Sequence, residues 1–192
     1  IEIGLRDIEV PKPGVDEVLI EVQASPINPS DLGTLVGAGD LTSIRVEGEG
    51  DQAKVIMDIP ESVMWAMKPR IGKPLPVGNE GSGIVTEAGE NAKHLIGKVV
   101  SAVGGGMYAQ YRVLPAMACI EMPDDIEPKD CASSFVNPLT ALGMVETMKS
   151  EGHSALIHTA AASNLGQMLV KICLADNIPL INIVRKPEQV DL

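Results

Sequence analysis

The sequence predicts an α/β protein: a β-rich first domain over residues 1–122, then a helical linker and the opening of a doubly wound parallel sheet over residues 123–192. Three observations point there. Residues 154–186, SALIHTAAASNLGQMLVKICLADNIPLINIVRK, read as a strand, a tight turn, a helix and a second strand. Before them lie many short apolar runs punctuated by Gly and Pro, the pattern of a small barrel-like β domain. Between the two, from about Pro123, apolar residues adopt helical spacing.

Residues 1–10 and 18–25 read as strands separated by the turn Pro11-Lys12-Pro13-Gly14. Val18, Ile20 and Val22 alternate, so one face of the second strand is expected to be buried. Residues 26–37, PINPSDLGTLVG, turn into a short helix with Ser30 as a candidate cap. Residues 38–68 fit a hairpin with an excursion, or a mobile loop. A Gly-rich turn then leads into strands at 83–87, 98–103 and 108–114, and helical spacing returns at 128–135 and 139–148.

The second half carries the chemistry. Residues 154–159 and 179–184 are short apolar runs suited to strands buried on both faces. Between them Leu165, Met168, Leu169, Ile172 and Cys173 share one helical face, and Asn177 stands where a helix stop is expected. A dinucleotide turn needs small residues at G-x-G-x-x-G spacing so that the backbone can turn tightly, approach a pyrophosphate and pack helix on strand. Ala161, Ser163 and Gly166 fill those three positions. A generic small-residue turn also fits the pattern, but a strand before it and a helix N-terminus after it favour a nucleotide site. The second strand ends in Arg185-Lys186. Basic residues there accommodate the extra phosphate of NADP, where NAD enzymes place an acid; the alternative is a solvated pair of surface charges.

With 45% hydrophobic residues and mixed charge, a chain of 192 residues can bury a core, in one domain or two small ones. Its aromatics are few, Trp65, Tyr108, Tyr111 and Phe135, so aliphatic residues and nine Met must fill it. A formal charge of −11 argues against nucleic-acid binding. Cys119, Cys131 and Cys173 are odd in number, widely spaced and in apolar contexts, as for buried thiols in a reducing compartment. No signal-like or membrane-spanning stretch occurs in the sequence, and a cytoplasmic protein is expected unless a removed targeting segment preceded Ile1.

EVLIEV, INPSDL, GNEGSG, VNPLTAL and ALIHTAAASNLGQ together resemble the medium-chain dehydrogenase/reductase superfamily. Within it the chain is most similar to the zinc-free 2-enoyl thioester reductases and, next, to quinone oxidoreductases. The resemblance implies a GroES-like catalytic domain followed by a partial Rossmann domain, NADPH between them, a small-molecule substrate and, at full length, a homodimer. It places Asn28, Asn137 and Thr140 on the nicotinamide side and Ala162, Ser163, Asn164, Leu165 and Gly166 in the phosphate turn, with Arg185 and Lys186 on the ribose phosphate. Structural roles are also open: an Asx turn at Asn28 before Pro29, and a cap at Asn137 before Pro138.

No metal is expected. Catalytic zinc in that superfamily uses a Cys near the first helix and a His in a GHE turn, and here those stretches read INPSD and GNEG, with Asn79 in the His position. His94, His153 and His158 read as surface or strand histidines. Enoyl thioester reductases carry a Tyr after the INPSD helix; this sequence has none there, so the catalytic proton donor is unassigned. Trp65, in the long segment 41–73, is a candidate for the substrate cleft or for packing. The expected activity is NADPH-dependent reduction of an α,β-unsaturated carbonyl; a quinone reductase and a non-catalytic NADPH-binding protein are the alternatives. Because the sequence stops after the second strand, the chain is expected to be a piece of a longer enzyme, binding NADPH poorly and catalysing nothing alone, or a short protein that completes its sheet by dimerisation.

Overall fold

The computed structural model describes residues 1–191. The chain divides into two compact units, Ile1–Ala132 and Ser133–Leu192.

In the first unit β1 (Glu2–Gly4) is followed by β2 (Glu17–Ala24) and α1 (Pro29–Leu35). Of the strand expected over 1–10, Glu2–Gly4 forms β1, Ile1 exchanges hydrogen bonds with Met57, and residues 5–10 carry no regular element. Next come β3 (Arg45–Glu47), β4 (Lys54–Ile56) and α2 (Glu61–Met67). The segment that sequence left as hairpin or loop therefore forms ordered structure, a three-stranded antiparallel sheet in the order β1-β4-β3. Trp65 sits on α2 with 74% of its surface exposed, so it does not pack into the core.

The main sheet is built from β2, β5 (Glu80–Ala88), β6 (Val99–Val103), β7 (Tyr111–Pro115) and β8 (Cys119–Glu121), in the antiparallel order β7-β2-β5-β6-β8. Val18, Ile20, Val85, Val100, Ala102, Met107 and Leu114 pack beside Ala92 and Leu95 to form its core. Val18 and Ile20 face that core as their alternation predicts. Leu19 is also buried, so the first half of β2 is covered on both faces rather than one. The short helix α3 (Pro128–Cys131) lies against β2, β5 and β6, and the Pro128 carbonyl accepts the hydroxyl hydrogen of Ser82. The helix expected over 128–135 ends at Cys131.

The second unit contains α4 (Val136–Ser150), β9 (Leu156–His158), α5 (Asn164–Ala175) and β10 (Leu180–Asn182). Strands β9 and β10 pair in parallel, with Leu156 opposite Leu180 and His158 opposite Asn182, so the predicted βαβ unit is present. Ala141 and Val145 from α4 meet Leu169 and Cys173 from α5, with Leu156 and Leu180 against them. Leu156 and Leu180 are partly buried on this face, while Ile157 is 65% and Ile181 57% exposed, which corrects the expectation of burial on both faces. Asn177 ends α5 at a positive φ of 54°, a conformation that Asn tolerates better than most side chains. All three cysteines are free; Cys131 and Cys173 are buried, Cys119 only partly, and desolvation lifts the Cys119 thiol to about 11.

Candidate functional site

The turn between β9 and α5 is shaped by hydrogen bonding and close packing. Ser163 is the N-cap of α5: its hydroxyl oxygen accepts from the Gly166 amide at 3.0 Å. The serine that replaces a fingerprint glycine thus closes the helix start itself. Gly166 admits no side chain, since a Cβ there would stand 2.3 Å from the Ala161 carbonyl oxygen. This is the close helix–strand approach for which the last fingerprint position requires glycine. Among the described residues the amides of Asn164 and Leu165, in the first turn of this 12-residue helix, make no hydrogen bond. Unbonded amides at a helix start, with the helix dipole behind them, have the chemistry that suits an anion. Ala162 is partly buried beside them, and its carbonyl accepts from the Gln167 side chain at 3.3 Å.

Arg185 and Lys186 follow β10 and are exposed. Their backbone amides donate to Gln189 Oε1 at 3.1 and 3.2 Å, which fixes the chain, while among the described residues neither side chain forms an ion pair. Asn137 is the second residue of α4 rather than its cap; the cap position is Phe135, displaced because α4 begins two residues before Pro138. Thr140 is exposed one turn along, its hydroxyl donating to the Val136 carbonyl.

Asn28 belongs to the first unit and is buried. It is the N-cap residue of α1, a role expected of Ser30; Pro29 at the first helical position sets the start there. The Asn28 amide donates to Asp31 Oδ2 at 2.8 Å, and its side-chain nitrogen donates to Glu80 Oε1 at 2.9 Å. Asp31 Oδ1 accepts from the Asn79 amide at 2.9 Å, and the Asn79 side chain reaches the Ser30 hydroxyl at 2.8 Å. Residues from the INPSD and GNEG stretches are therefore knitted together where zinc enzymes of this fold place ligands, and Asn79 is committed as a hydrogen-bond donor. Among the described residues no group of three or more His, Cys, Asp and Glu has the geometry of a metal site. His158 lies in β9 and His153 is exposed, as read from the sequence.

Asp31, Glu80 and Tyr108 are participants that sequence reasoning did not single out. Asp31 and Glu80 are almost fully buried. Both lie inside quoted motifs, and an acid amid small and apolar neighbours is the signal that marks them, because a buried carboxylate must be bonded.

Residues 14–124 match the alcohol dehydrogenase GroES-like domain family, and the chain belongs to that family. It is a medium-chain dehydrogenase/reductase, with a GroES-like β-rich domain followed by a partial Rossmann fold. It is 26% identical over 190 residues to a mitochondrial enoyl-[acyl-carrier-protein] reductase of Xenopus tropicalis, covering 97% of this chain and 46% of that protein. To prostaglandin reductase-3 of Mus musculus it is 29% identical over 171 residues, covering 87% of this chain and 37% of the relative. Among solved structures, a protein from Mesorhizobium loti proposed to be an NADPH:quinone reductase superposes with a TM-score of 0.68 at 32% identity, covering 95% of this chain and 46% of that one. The chain thus spans less than half the length of each of these three relatives.

Proposed function

We propose that the protein is an NADPH-dependent, zinc-independent reductase that delivers a hydride to the carbon–carbon double bond of an α,β-unsaturated carbonyl such as an enoyl thioester. The β9–α5 turn carries this reading: a capped helix N-terminus with two unbonded amides, set against the end of a parallel strand by a glycine that no other residue can replace. Ala162, Ser163, Asn164, Leu165 and Gly166 hold the pyrophosphate, Arg185 and Lys186 hold the ribose phosphate, and Asn28, Asn137 and Thr140 serve the nicotinamide side. NADPH, when bound, supplies the hydride. The protein's own task is to orient the substrate, to meet charge developing on its carbonyl oxygen with polar groups and to exclude water.

The enzymatic relatives support a reductase, and the 32% identity to the Mesorhizobium loti protein favours quinone reduction as the second reading. A homodimer is the assembly proposed with this activity. The cytoplasm is the compartment proposed from the sequence, with the mitochondrion of the Xenopus relative as the other setting; among the described residues no helix is long and apolar enough to cross a membrane. NADPH oxidation by the whole protein, assayed with crotonyl thioesters, enones and quinones, tests the proposal. Turnover of a thioester or enone is expected, quinone turnover alone selects the second reading, and NADPH binding without any turnover refutes both.

A further inference from the structure

Three loops of the first unit converge on one phenol. The Met107 amide donates to the Gly78 carbonyl at 3.1 Å and the Tyr108 amide to the Val77 carbonyl at 2.9 Å. The Ser25 hydroxyl donates to the Met107 carbonyl at 2.9 Å. The Tyr108 ring packs against Gly78, whose φ is +93° and whose place no larger residue can take, since a Cβ would come within 2.5 Å of Tyr108 Cδ1. Its hydroxyl donates to the Pro26 carbonyl at 3.0 Å, two residues before Asn28. The phenol is therefore held in one place beside the Asn28–Asp31–Asn79–Glu80 network, yet the residue keeps 37% of its surface exposed.

Few groups in this cluster can release a proton to a bound molecule. Asp31 and Glu80 are 1% and 0% exposed, and the two Asp31 oxygens are occupied by the Asn28 and Asn79 amides. Carboxamides and the hydroxyls of Ser25 and Ser30 are too weakly acidic. Tyr108 combines useful acidity with access from outside.

We propose that Tyr108 is the catalytic acid that protonates the substrate in the reductase reaction, an inference that rests on the function proposed above. Arrival of hydride at the β-carbon leaves an electron pair on the enolate. The Tyr108 O–H bond breaks, a C–H bond forms at the α-carbon, and the negative charge passes to the phenolate oxygen. Water at the exposed edge then returns a proton to the phenolate. A carbon enolate is a far stronger base than a phenolate, so the transfer runs downhill. Burial, and after it the Asp31 carboxylate, holds the phenol above its ordinary value, which keeps it protonated at neutral pH.

Tyr108→Phe in the whole protein, with Tyr111→Phe as control, tests the assignment in two ways. With a crotonyl thioester, kcat of Tyr108→Phe is expected to fall by about 10²-fold or more, with KM and the NADPH dissociation constant unchanged, and Tyr111→Phe to retain activity. The chain has two tyrosines, so ultraviolet titration of each single variant without cofactor isolates the other phenol. Tyr108 is expected to ionise above the ordinary tyrosine value. Retention of most of kcat by Tyr108→Phe, or ionisation of Tyr108 below that value, overturns this proposal alone. Absence of turnover in the unsubstituted protein overturns the reductase reading and this proposal with it.

Discussion

Arg185 and Lys186 stand just beyond a strand whose neighbour leads into the β9–α5 turn, with side chains in solvent and backbone tied to Gln189. Two cations that form no ion pair among the described residues, on a fixed stretch of chain, suit a phosphate monoester better than a ribose hydroxyl. Arg185→Ala is expected to weaken NADPH binding by about 1–3 kcal/mol, the scale of a charge-assisted hydrogen bond, and to leave NADH binding nearly unchanged. Calorimetric titration with both cofactors measures the difference; equal losses would show that Arg185 does not touch the additional phosphate. The residues of the first unit are less legible one by one. Asn28 reads from sequence as a cofactor contact or an Asx turn; its side-chain nitrogen also donates to buried Glu80, a partner 52 residues away that no local pattern reveals.

At the level of elements, the βαβ unit was readable because each of its parts obeys a local rule: helical spacing, a small-residue turn, an Asn stop at positive φ. What local rules left open was decided by tertiary partners. The strand expected over 1–10 shrinks to Glu2–Gly4, where β4 pairs with it, and residues 45–56 become strands because they pair with each other and with β1. The α4 cap moved from Asn137 to Phe135 because helical geometry extends upstream of Pro138. Two glycines give a test of the turn. Gly166→Ala forces a Cβ against two backbone carbonyls and is expected to cost about 1–3 kcal/mol of stability and to weaken NADPH binding at least tenfold. Gly143→Ala on α4 meets nothing within 4 Å and is expected to be neutral or to stabilise by about 0.5–1 kcal/mol. Denaturant unfolding and NADPH titration of both variants check this; equal behaviour would mean that Gly166 is not a packing glycine.

At the scale of the whole molecule, a chain of net charge −11 has the N-terminus of α5 and the exposed pair Arg185-Lys186 as the local features to which the proposed function assigns an anionic cofactor. Hydrogen bonds among Asn28, Ser30, Asp31, Asn79 and Glu80 tie together the INPSD and GNEG stretches, and the reductase proposed above is one that delivers hydride without a metal on the substrate carbonyl. The direct measurement is isotopic. The whole protein, dialysed against a chelator and shown by elemental analysis to be free of zinc, is incubated with a crotonyl thioester and NADPH carrying deuterium on the transferred face of the nicotinamide. Mass spectrometry is expected to find one deuterium on the β-carbon of the saturated product and a solvent hydrogen on the α-carbon. Product formed only after zinc is restored, or saturated product without deuterium at the β-carbon, would contradict a zinc-independent hydride transfer from NADPH.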